Sequence, residues 1–296
     1  MEEIKSGFVT IVGRPNVGKS TLLNTIIERK LAITSSTPQT TRNIIQGVYN
    51  DEDSQIIFID TPGIHKPKDK LGGYLNKQSY IMMNDVDLIL FVVEADKKIG
   101  NGDKFVIEKL KEYKKIILVI NKIDKISKDE LLVKISEYKD LMDFIDIVPV
   151  SSLNNINIEE IIKVIKDNLS NNGKYYDEEY ITNVNENFIV REYIREQILN
   201  NTFKEVPHKV NVEVLEIKKK SKLISIYASI IVDRESLKKI IVGKNASMLK
   251  KIGMNSRILL EEYYDNKVFL DLRVKCVENW REKESYLAEF GFNKFE

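Results

Sequence analysis

The 296-residue sequence contains one cysteine, two histidines and no long apolar run. The single cysteine, Cys276, excludes an internal disulfide and favours a reducing compartment. One cysteine with His65 and His208 offers too few ligands for a dedicated zinc site, so oxygen-bound Mg²⁺ is the only metal that the composition favours. The longest apolar stretch, at residues 88–93, is far below the roughly 20 residues that span a bilayer, and the sequence opens without a secretory signal. We therefore expect a cytoplasmic protein.

Charge is nearly balanced over the whole chain, with 46 basic and 45 acidic side chains. The formal net charge of +1 predicts no strong overall attraction to nucleic acid. The balance is uneven along the chain, however, because residues 203–257 carry 13 Lys or Arg against 5 Asp or Glu, which is a net charge of +8. Such a local excess is typical of a nucleic-acid-binding surface.

Residues 13–20, GRPNVGKS, match the phosphate-binding pattern G-x-x-x-x-G-K-S. The apolar run 8–12 before this loop has the length of a strand, and residues 20–27 after it have helical spacing. The loop N–H groups would surround a phosphate, Lys19 would reach the β- and γ-phosphates, and Ser20 would ligate Mg²⁺. The nucleotide-binding residues predicted here are Gly13, Arg14, Pro15, Asn16, Val17, Gly18, Lys19, Ser20 and Thr21.

A predicted hairpin of strands 44–49 and 55–59 follows a polar loop at 31–43 and leads into the motif DTPG. A carboxylate at the carboxyl end of a buried strand beside a phosphate loop is where the Mg²⁺ of a nucleotide needs one, which makes Asp60 the predicted metal-side acid. Gly63 would let its N–H group approach the γ-phosphate closely. This motif adds Asp60, Thr61, Pro62 and Gly63 to the predicted nucleotide contacts.

Strands and helices alternate through the rest of the first half. The predicted strands lie at 87–93, 116–120 and 145–150, and the predicted helices lie at 102–113 and 158–169. This alternation predicts an α/β domain with a mostly parallel sheet and helices on both faces, which binds its ligand at the carboxyl ends of the strands.

Guanine recognition is predicted at the motif NKID, which follows a buried strand. Asp124 can accept hydrogen bonds from the N1–H and the exocyclic amine of guanine, which adenine does not present in that arrangement. Asn121 can brace the loop, and the stem of Lys122 can cover the base. Taken alone, the motif is equally compatible with a loop that ends in a helix-capping aspartate. Backbone N–H groups that could meet the guanine oxygen are predicted at Ser151, Ser152 and Leu153.

These motifs occur in the order of a translation-factor-type GTPase, and within that superfamily the sequence resembles the bacterial Era family. The resemblance is carried by GRPNVGKST, TPQTTR, DTPGIH, VPHKVNVEV and VFLDLRVK, and it covers essentially the whole chain. It implies an α/β P-loop GTPase domain followed by an α+β KH-type (α-β-β-α-α-β) RNA-binding domain. The helix stop at 171–173 and the polar connector at 174–180 predict the boundary between them, with domains at 1–172 and 183–296 and a linker at 173–182.

The ligands and partners that the resemblance implies are GTP or GDP, Mg²⁺, the 3′ end of 16S rRNA and the precursor of the small ribosomal subunit. It also implies a peripheral contact with the inner face of the cell membrane, and we expect a monomer. GTP would order residues 34–42 and 64–73, and hydrolysis would release them.

The resemblance also implies the metal ligands. Related GTPases place the metal threonine just before an arginine, here Arg42, which selects Thr41, although Thr40 remains the alternative. The metal ligands carried over are therefore Ser20, Thr41 and Asp60.

Ile64 stands where Ras-like proteins have a water-orienting glutamine, and an aliphatic side chain cannot do that work. Related GTPases with asparagine at the position of Asn16 use it to hold K⁺ beside the phosphates, so K⁺ would supply the missing charge stabilisation. The alternative that Asn16 only stabilises the turn stays open. The predicted catalytic residues are Lys19, Thr41, Gly63 and Asn16.

The second half resembles a KH domain, a fold that clamps single-stranded RNA with a GXXG loop between two helices. The predicted helices are 187–199, 235–241, 247–251 and 256–264, and the predicted strands are 210–217, 223–232 and 268–274. The loop GKNA ends in Ala246 instead of glycine, which reduces the room for a close approach of the RNA backbone.

The RNA contacts predicted around this loop are Lys238, Lys239, Gly243, Lys244, Asn245, Ala246, Lys250 and Lys251. The lysine run at 218–220 is instead expected to be the solvated tip of a hairpin. A basic surface of this kind could also meet anionic lipid or a protein, and that alternative stays open.

Overall fold

The alternation of strands and helices predicted for the first half is present in the structure, a computed structural model that describes residues 4–35 and 37–292. Ser36, inside the predicted loop at 31–43, and the outermost residues of the two predicted domains lie outside the described residues. By their contacts, the described residues form two compact units. The first comprises residues 4–32, 41–68 and 72–183, and the second comprises the described parts of 33–40, 69–71 and 184–292.

One sheet organises the first unit. Its strands are β1 (Lys5–Val12), β2 (Ile45–Asn50), β3 (Ser54–Asp60), β4 (Leu88–Glu94), β5 (Ile116–Asn121), β6 (Asp146–Val150) and β7 (Ser170–Asn171). The order across the sheet is β2-β3-β1-β4-β5-β6, with the short β7 paired antiparallel to β1 outside that path. The pairs from β3 to β6 are parallel, whereas β2 pairs antiparallel with β3 in the predicted hairpin. The prediction of a mostly parallel sheet is confirmed.

The helices of this unit cover strands that are apolar on both faces. They are α1 (Lys19–Ile27), α2 (Lys70–Asn84), α3 (Asn101–Leu110), α4 (Lys128–Lys139) and α5 (Ile158–Asn168). On β4, Phe91 packs in one cluster with Val106 of α3 and Tyr138 of α4, while its neighbours Leu90 and Val92 are buried outside that cluster. Burial on both faces explains why the strands are continuous apolar runs.

Sequence analysis predicted neither α2 nor α4. The start of α4 has a local signal, because Ser127 and Glu130 form a capping box in which the Ser127 N–H donates to Glu130 Oε2 at 2.8 Å. The helix α2 follows the polar stretch HKPKD and has two glycines, Gly72 and Gly73, in its first turn. Glycine is unfavourable in helices and typical of loops, so the sequence does not mark the start of this helix.

Sheet topology places the predicted motifs together. The strands β1, β3, β5 and β6 run in the same direction and end at Val12, Asp60, Asn121 and Val150. The phosphate loop, DTPG, NKID and the serine pair therefore begin at the same edge of the sheet, which is where α/β sheets bind ligands.

Residues 173–183, most of which were predicted to be a linker, lie along the edge of this sheet. Val48 N donates to the carbonyl of Ile181 at 2.8 Å, and the Thr182 hydroxyl donates to the carbonyl of Gln46 at 2.6 Å. Gln55 Nε2 donates to a further carbonyl of the segment at 2.8 Å. The first two bonds satisfy backbone groups of the edge strand β2, and the third involves a side chain of β3. The division between the two units falls after residue 183.

The second unit has the predicted order of helix, strand, strand, helix, helix and strand. Its elements are α6 (Glu186–Asn201), β8 (Val210–Lys220), β9 (Leu223–Val232), α7 (Glu235–Val242), α8 (Ser247–Tyr264), β10 (Val268–Cys276) and α9 (Glu284–Glu289). The sheet order is β10-β9-β8, with β10 parallel and β8 antiparallel to β9. Alternate residues of β9, including Ile226 and Ile230, are fully buried in one cluster with residues of α6, α7 and α8.

The separate helices predicted at 247–251 and 256–264 are wrong, because α8 is continuous through both. Ile252 and Ser256 are fully buried and keep the helix on the core across Gly253. A glycine inside a helix costs only about 1 kcal/mol relative to alanine, which this burial outweighs. Among the residues that the structure describes, no helix is long and apolar enough to span a bilayer.

Candidate functional site

The phosphate loop lies between β1 and α1, where the strand, loop and helix context was predicted. Gly18 has φ +99° and precedes the first helical residue, Lys19. A Cβ atom at Gly18 would lie 2.2 Å from Asn121 Nδ2, and the same amide donates to the carbonyl of Val17 at 3.0 Å. The loop and the NKID segment are therefore in direct contact, and only glycine fits at this point.

Lys19 lies buried inside the loop. Its ammonium donates to the carbonyls of Gly13 and Arg14 at 3.3 and 3.0 Å. Burial lowers the pKa of Lys19 to about 8, although the nearby Asp60 opposes this shift. A phosphate group would supply the opposite charge that a buried ammonium needs.

Asp60, Ser20 and Thr41 converge on one point of the site. The hydroxyl of Ser20 donates to Asp60 Oδ2 at 2.6 Å and lies 2.6 Å from Thr41 Oγ1, which is 3.4 Å from the same carboxylate oxygen. Burial raises the pKa of Asp60 to about 6, while Lys19 and the two hydroxyls act to lower it. Of the two threonines that the sequence left open, only Thr41 reaches this cluster, because the hydroxyl of Thr40 donates to the carbonyl of Thr37 at 2.6 Å.

These residues fit Mg²⁺. Asp60 Oδ1 is buried and has no hydrogen-bond partner within the described residues, which is unusual for a carboxylate in a protein interior. Two hydroxyl oxygens stand beside that carboxylate, and hard oxygen donors of this kind are what Mg²⁺ prefers.

The DTPG segment packs tightly on the phosphate loop. A Cβ atom at Gly63 would lie 2.6 Å from the backbone nitrogen of Pro15, and Ile64 N donates to the carbonyl of Gly13 at 3.0 Å. The side chain of Ile64 is fully buried in the core with Val12. It therefore points away from the position that a water-orienting side chain would need.

The predicted base-binding residues form one hydrogen-bonded group. Asn121 Oδ1 accepts from Lys122 N at 2.8 Å and from both N and Oγ of Ser152 at 3.0 Å. Asp124 Oδ1 accepts from the hydroxyl of Ser151 at 2.5 Å, which leaves Oδ2 and the second acceptor site of Oδ1 to a ligand. Of the three predicted N–H donors, those of Ser151 and Ser152 already donate within the protein, whereas Leu153 N donates to no acceptor in the described part of the chain.

Two ion pairs at the site were missed by sequence reasoning. Arg14 of the phosphate loop pairs with Asp103 of α3 at 2.8 Å, and Lys122 pairs with Glu94 at the end of β4. The Lys122 ammonium also donates to the carbonyl of Asn16 at 2.7 Å. Glu94 is a carboxylate at the carboxyl end of a buried strand, as Asp60 is. This feature predicts Asp60 as a site residue and could have identified Glu94 in the same way.

The loop GKNA joins α7 to α8 in the second unit, where the KH resemblance placed it. Gly243, Asn245 and Ala246 all have positive φ, at 71°, 53° and 59°. A Cβ atom at Gly243 would lie 2.9 Å from Met248 N, so the first glycine is needed for space as well as for conformation. Ala246, by contrast, carries a side chain in the left-handed region, which costs roughly 1–2 kcal/mol.

The predicted RNA-contacting lysines differ in exposure. Lys238 is half-buried and lies 3.9 Å from Glu235. The others are exposed to solvent, and they are Lys239, Lys244, Lys250 and Lys251.

The lysine run at 218–220 ends β8 and does not form the turn that was predicted for it. Lys218 and Lys219 are paired with Glu216 and Glu186 at 2.9 and 2.5 Å. The turn itself is at residues 221–222.

Solved structures of known proteins resemble this chain over nearly its whole length. A variant of Aquifex aeolicus Era bound to GDP·AlF4⁻ is 38% identical, with a TM-score of 0.93, and the match covers 98% of this chain and 99% of that chain. The chain belongs to the Era family of GTPases. Era in complex with MgGDPNP and nucleotides 1506–1542 of 16S ribosomal RNA is also 38% identical, with the same coverage and a TM-score of 0.92.

Family models agree with this assignment. Residues 8–122 match the model described as a 50S ribosome-binding GTPase, and residues 205–281 match the model of the KH domain. The family and the two fold classes predicted from the motifs are confirmed.

Proposed function

We propose that this chain hydrolyses GTP and, in its GTP-bound state, binds the 3′ end of 16S rRNA to assist maturation of the small ribosomal subunit. The observation that carries the proposal is the assembly of a complete guanine-nucleotide site. Lys19, Asp60 and Thr41 meet at its phosphate end, and Asp124 stands at its base end. The Era protein that holds this stretch of 16S rRNA is 38% identical to the chain, which supports the choice of RNA.

In the proposed complex the chain holds GTP at both ends. Lys19 and the loop N–H groups bind the phosphates, and Asp124 accepts the two donors of the guanine edge. Ser20, Thr41 and Asp60 hold Mg²⁺, which neutralises charge on the β- and γ-phosphates. The proposed domains are residues 1–172 for GTP and residues 183–296 for RNA.

Hydrolysis in this proposal relies on backbone groups and charge. The buried side chain of Ile64 contributes no polar group. The backbone N–H group of Gly63 therefore contacts the γ-phosphate in this proposal. Asn16 holds K⁺ beside the phosphates, where the cation stabilises the charge that develops in the transition state. Turnover in K⁺ should exceed turnover in Na⁺ at equal ionic strength, and equal rates would remove K⁺ from the account.

The switch consists of the residues on either side of this site. GTP orders residues 34–42 and 64–73 through Thr41 and Gly63, and loss of the γ-phosphate releases them. The loop at 243–246 binds single-stranded RNA, and the exposed lysines next to the loop contact the phosphate groups of that RNA. We place the monomeric protein in the cytoplasm, with a peripheral contact at the inner face of the membrane.

Crosslinking in cells, followed by sequencing of the bound RNA, tests the proposal. We expect enrichment of the 3′ end of 16S rRNA, and we expect it to fall when Lys250 and Lys251 are both replaced by alanine. The matched control replaces Lys128 and Lys139, two exposed lysines of α4. An absence of ribosomal RNA among the crosslinked sequences would contradict the proposal and would favour a GTPase whose basic surface meets lipid or protein.

A further inference from the structure

The described residues of the segment 33–40 precede the proposed metal ligand Thr41 and belong by their contacts to the second unit. Two neighbouring side chains of α6 hold this segment. Thr34 N donates to Glu196 Oε1 at 3.3 Å, and Arg195 Nη2 donates to the carbonyl oxygen of Thr40. The segment is therefore attached to α6 near both of its ends.

Arg195 is held in place by a partner on its own helix. Its Nε and Nη2 atoms donate to the two carboxylate oxygens of Glu192 at 3.0 and 2.7 Å, and its side chain is 1% exposed. A bidentate pair fixes the plane of the guanidinium, so the direction of its bond to Thr40 is fixed as well. The cost of desolvating two charges can cancel the attraction between them, so a buried ion pair need not stabilise the fold. A positioning role for Arg195 accounts better for its burial.

The hold on Thr40 is transmitted to Thr41 through one peptide bond. The peptide group is planar, so the carbonyl oxygen of Thr40 and the N and Cα atoms of Thr41 lie in one rigid plane. The hydroxyl of Thr41 lies 2.6 Å from Ser20 Oγ in this arrangement. Fixing the Thr40 carbonyl therefore restricts where the hydroxyl of Thr41 can point.

The segment after DTPG has a similar attachment. Residues 69–71 also belong to the second unit, and Asp69 forms an ion pair with Arg281 at 2.5 Å, with side-chain exposures of 16% and 12%. Lys70 pairs with Glu284 at 2.8 Å. Both segments that GTP is expected to order thus carry an ion pair or a charged hydrogen bond within the second unit.

We propose that Arg195 is a positioning residue of the GTP site, which acts through the Thr40–Thr41 peptide to hold the metal threonine in its GTP-binding conformation. Because coupling between two equilibria is reciprocal, bound GTP stabilises the contact between Thr40 and α6 to the same degree. The inference rests on the proposed function, since it needs a site that binds GTP.

The test is the Arg195→Lys variant of the full chain. Lysine keeps a positive charge beside the buried carboxylate of Glu192, but it cannot bridge that carboxylate and the Thr40 carbonyl with a planar fork. We expect affinity for Mg·GDPNP to fall about tenfold while affinity for Mg·GDP stays within twofold, because only the γ-phosphate state uses Thr41. The control is Arg273→Lys, which changes an exposed arginine paired with Asp271 on β10.

The ratio of the two affinities separates positioning from a general structural role. A parallel loss of both affinities, or no loss of either, would overturn the inference. Should Arg195→Lys fail to fold, Glu192→Asp carries the test, because it keeps both charges and moves the carboxylate that aims the guanidinium. We expect it to weaken only GDPNP, by about threefold, and an unchanged ratio would again be contradictory. A wild-type chain that does not prefer GTP to ATP would instead contradict the proposed function.

Discussion

The nucleotide site and the proposed RNA-binding loop at 243–246 are built on different principles. Lys19, Asp60 and Asn121 are each at most 5% exposed and are held by hydrogen bonds before any ligand arrives. Around the RNA-binding loop, Lys244 and Lys250 are exposed to solvent. In the nucleotide site the side chains are already fixed, so a small displacement should weaken ligand binding. The lysines around the loop are solvated, and their attraction to an RNA backbone would depend mainly on charge. The two should respond to mutation and to salt in different ways.

The largest expected effect is at the base end of the fixed site. Asp124→Asn replaces a carboxylate that we propose accepts two guanine hydrogen bonds by an amide that could accept only one of them. The lost charged hydrogen bond contributes about 1.5–3 kcal/mol, and the guanine donor that is left facing the amide N–H₂ group costs about 1–3 kcal/mol more, so we expect GTP affinity to fall about a thousandfold. Competition binding with a fluorescent GTP analogue measures it. Asp143→Asn, at an exposed position, is the control, and a loss below tenfold would contradict the assignment.

A steric change at the phosphate end should come next. Gly63→Ala would place a Cβ atom 2.6 Å from the backbone nitrogen of Pro15, and only a backbone displacement relieves such a contact. Misplacement by about 1 Å can cost a hundredfold in rate, and we expect a loss of that order in GTP turnover. Gly253→Ala, in α8, is the matched control, because no heavy atom lies within 4 Å of its Cβ position. Similar rates in the two variants would show that the close approach is unimportant.

The buried carboxylate should make the nucleotide-free protein sensitive to pH. Asp60 has a pKa of about 6, above the ordinary value near 3.9, so the folded state binds its proton more tightly than the unfolded state. This group therefore lowers the free energy of unfolding as pH rises from about 4 to about 6, by roughly 2–3 kcal/mol. Urea unfolding of the wild type and of Asp60→Asn at both pH values measures the difference. If the difference in the free energy of unfolding between the two proteins is the same at both pH values, the raised pKa of Asp60 is contradicted.

Salt should separate the two regions. Replacing Lys250 and Lys251 by alanine should weaken binding of single-stranded RNA about tenfold and reduce the slope of log K against log salt by about 1.4, since each phosphate contact contributes about 0.7. GTP affinity in the same variant should not change. A slope equal to that of the wild type would show that these lysines do not contact phosphates. The control is the double replacement of Lys128 and Lys139.

The smallest effect is expected at the fourth position of the RNA-binding loop. Ala246 has φ +59°, and glycine adopts that conformation without the cost of a Cβ atom. The unfolded chain also gains freedom with glycine, so we expect Ala246→Gly to stabilise the protein by only about 0.5–1 kcal/mol. Chemical unfolding measures this change. A destabilised variant would contradict the strain assigned to Ala246.

Sequence reasoning succeeded where the ligand imposes the spacing. The motifs GRPNVGKS, DTPG and NKID have the spacing expected for contacts with a phosphate, a metal and a base, and the structure confirms that strand direction brings them to one edge of the sheet. It also identified the order of elements in the second unit, because the apolar periodicity of those elements reflects burial on one face.

It could not find partners that are distant in the sequence. Nothing local marks Arg195 as the group that would hold Thr40, because a charged side chain on a helix ordinarily lies on the solvated face. In α6, however, Glu192, Arg195 and Glu196 are all buried. The pairs Arg14 with Asp103 and Asp69 with Arg281 were invisible for the same reason. Hydrophobic periodicity shows which face of a helix is buried, but it does not show which charges are buried with it.

The most direct test of the account is a titration of RNA carrying the 3′ end of 16S rRNA onto the full chain loaded with Mg·GDPNP or with Mg·GDP at one salt concentration. We predict at least tenfold tighter binding in the GDPNP state, because the γ-phosphate orders the segments that α6 and Arg281 hold. Equal affinities in the two states would contradict a GTP-controlled RNA switch.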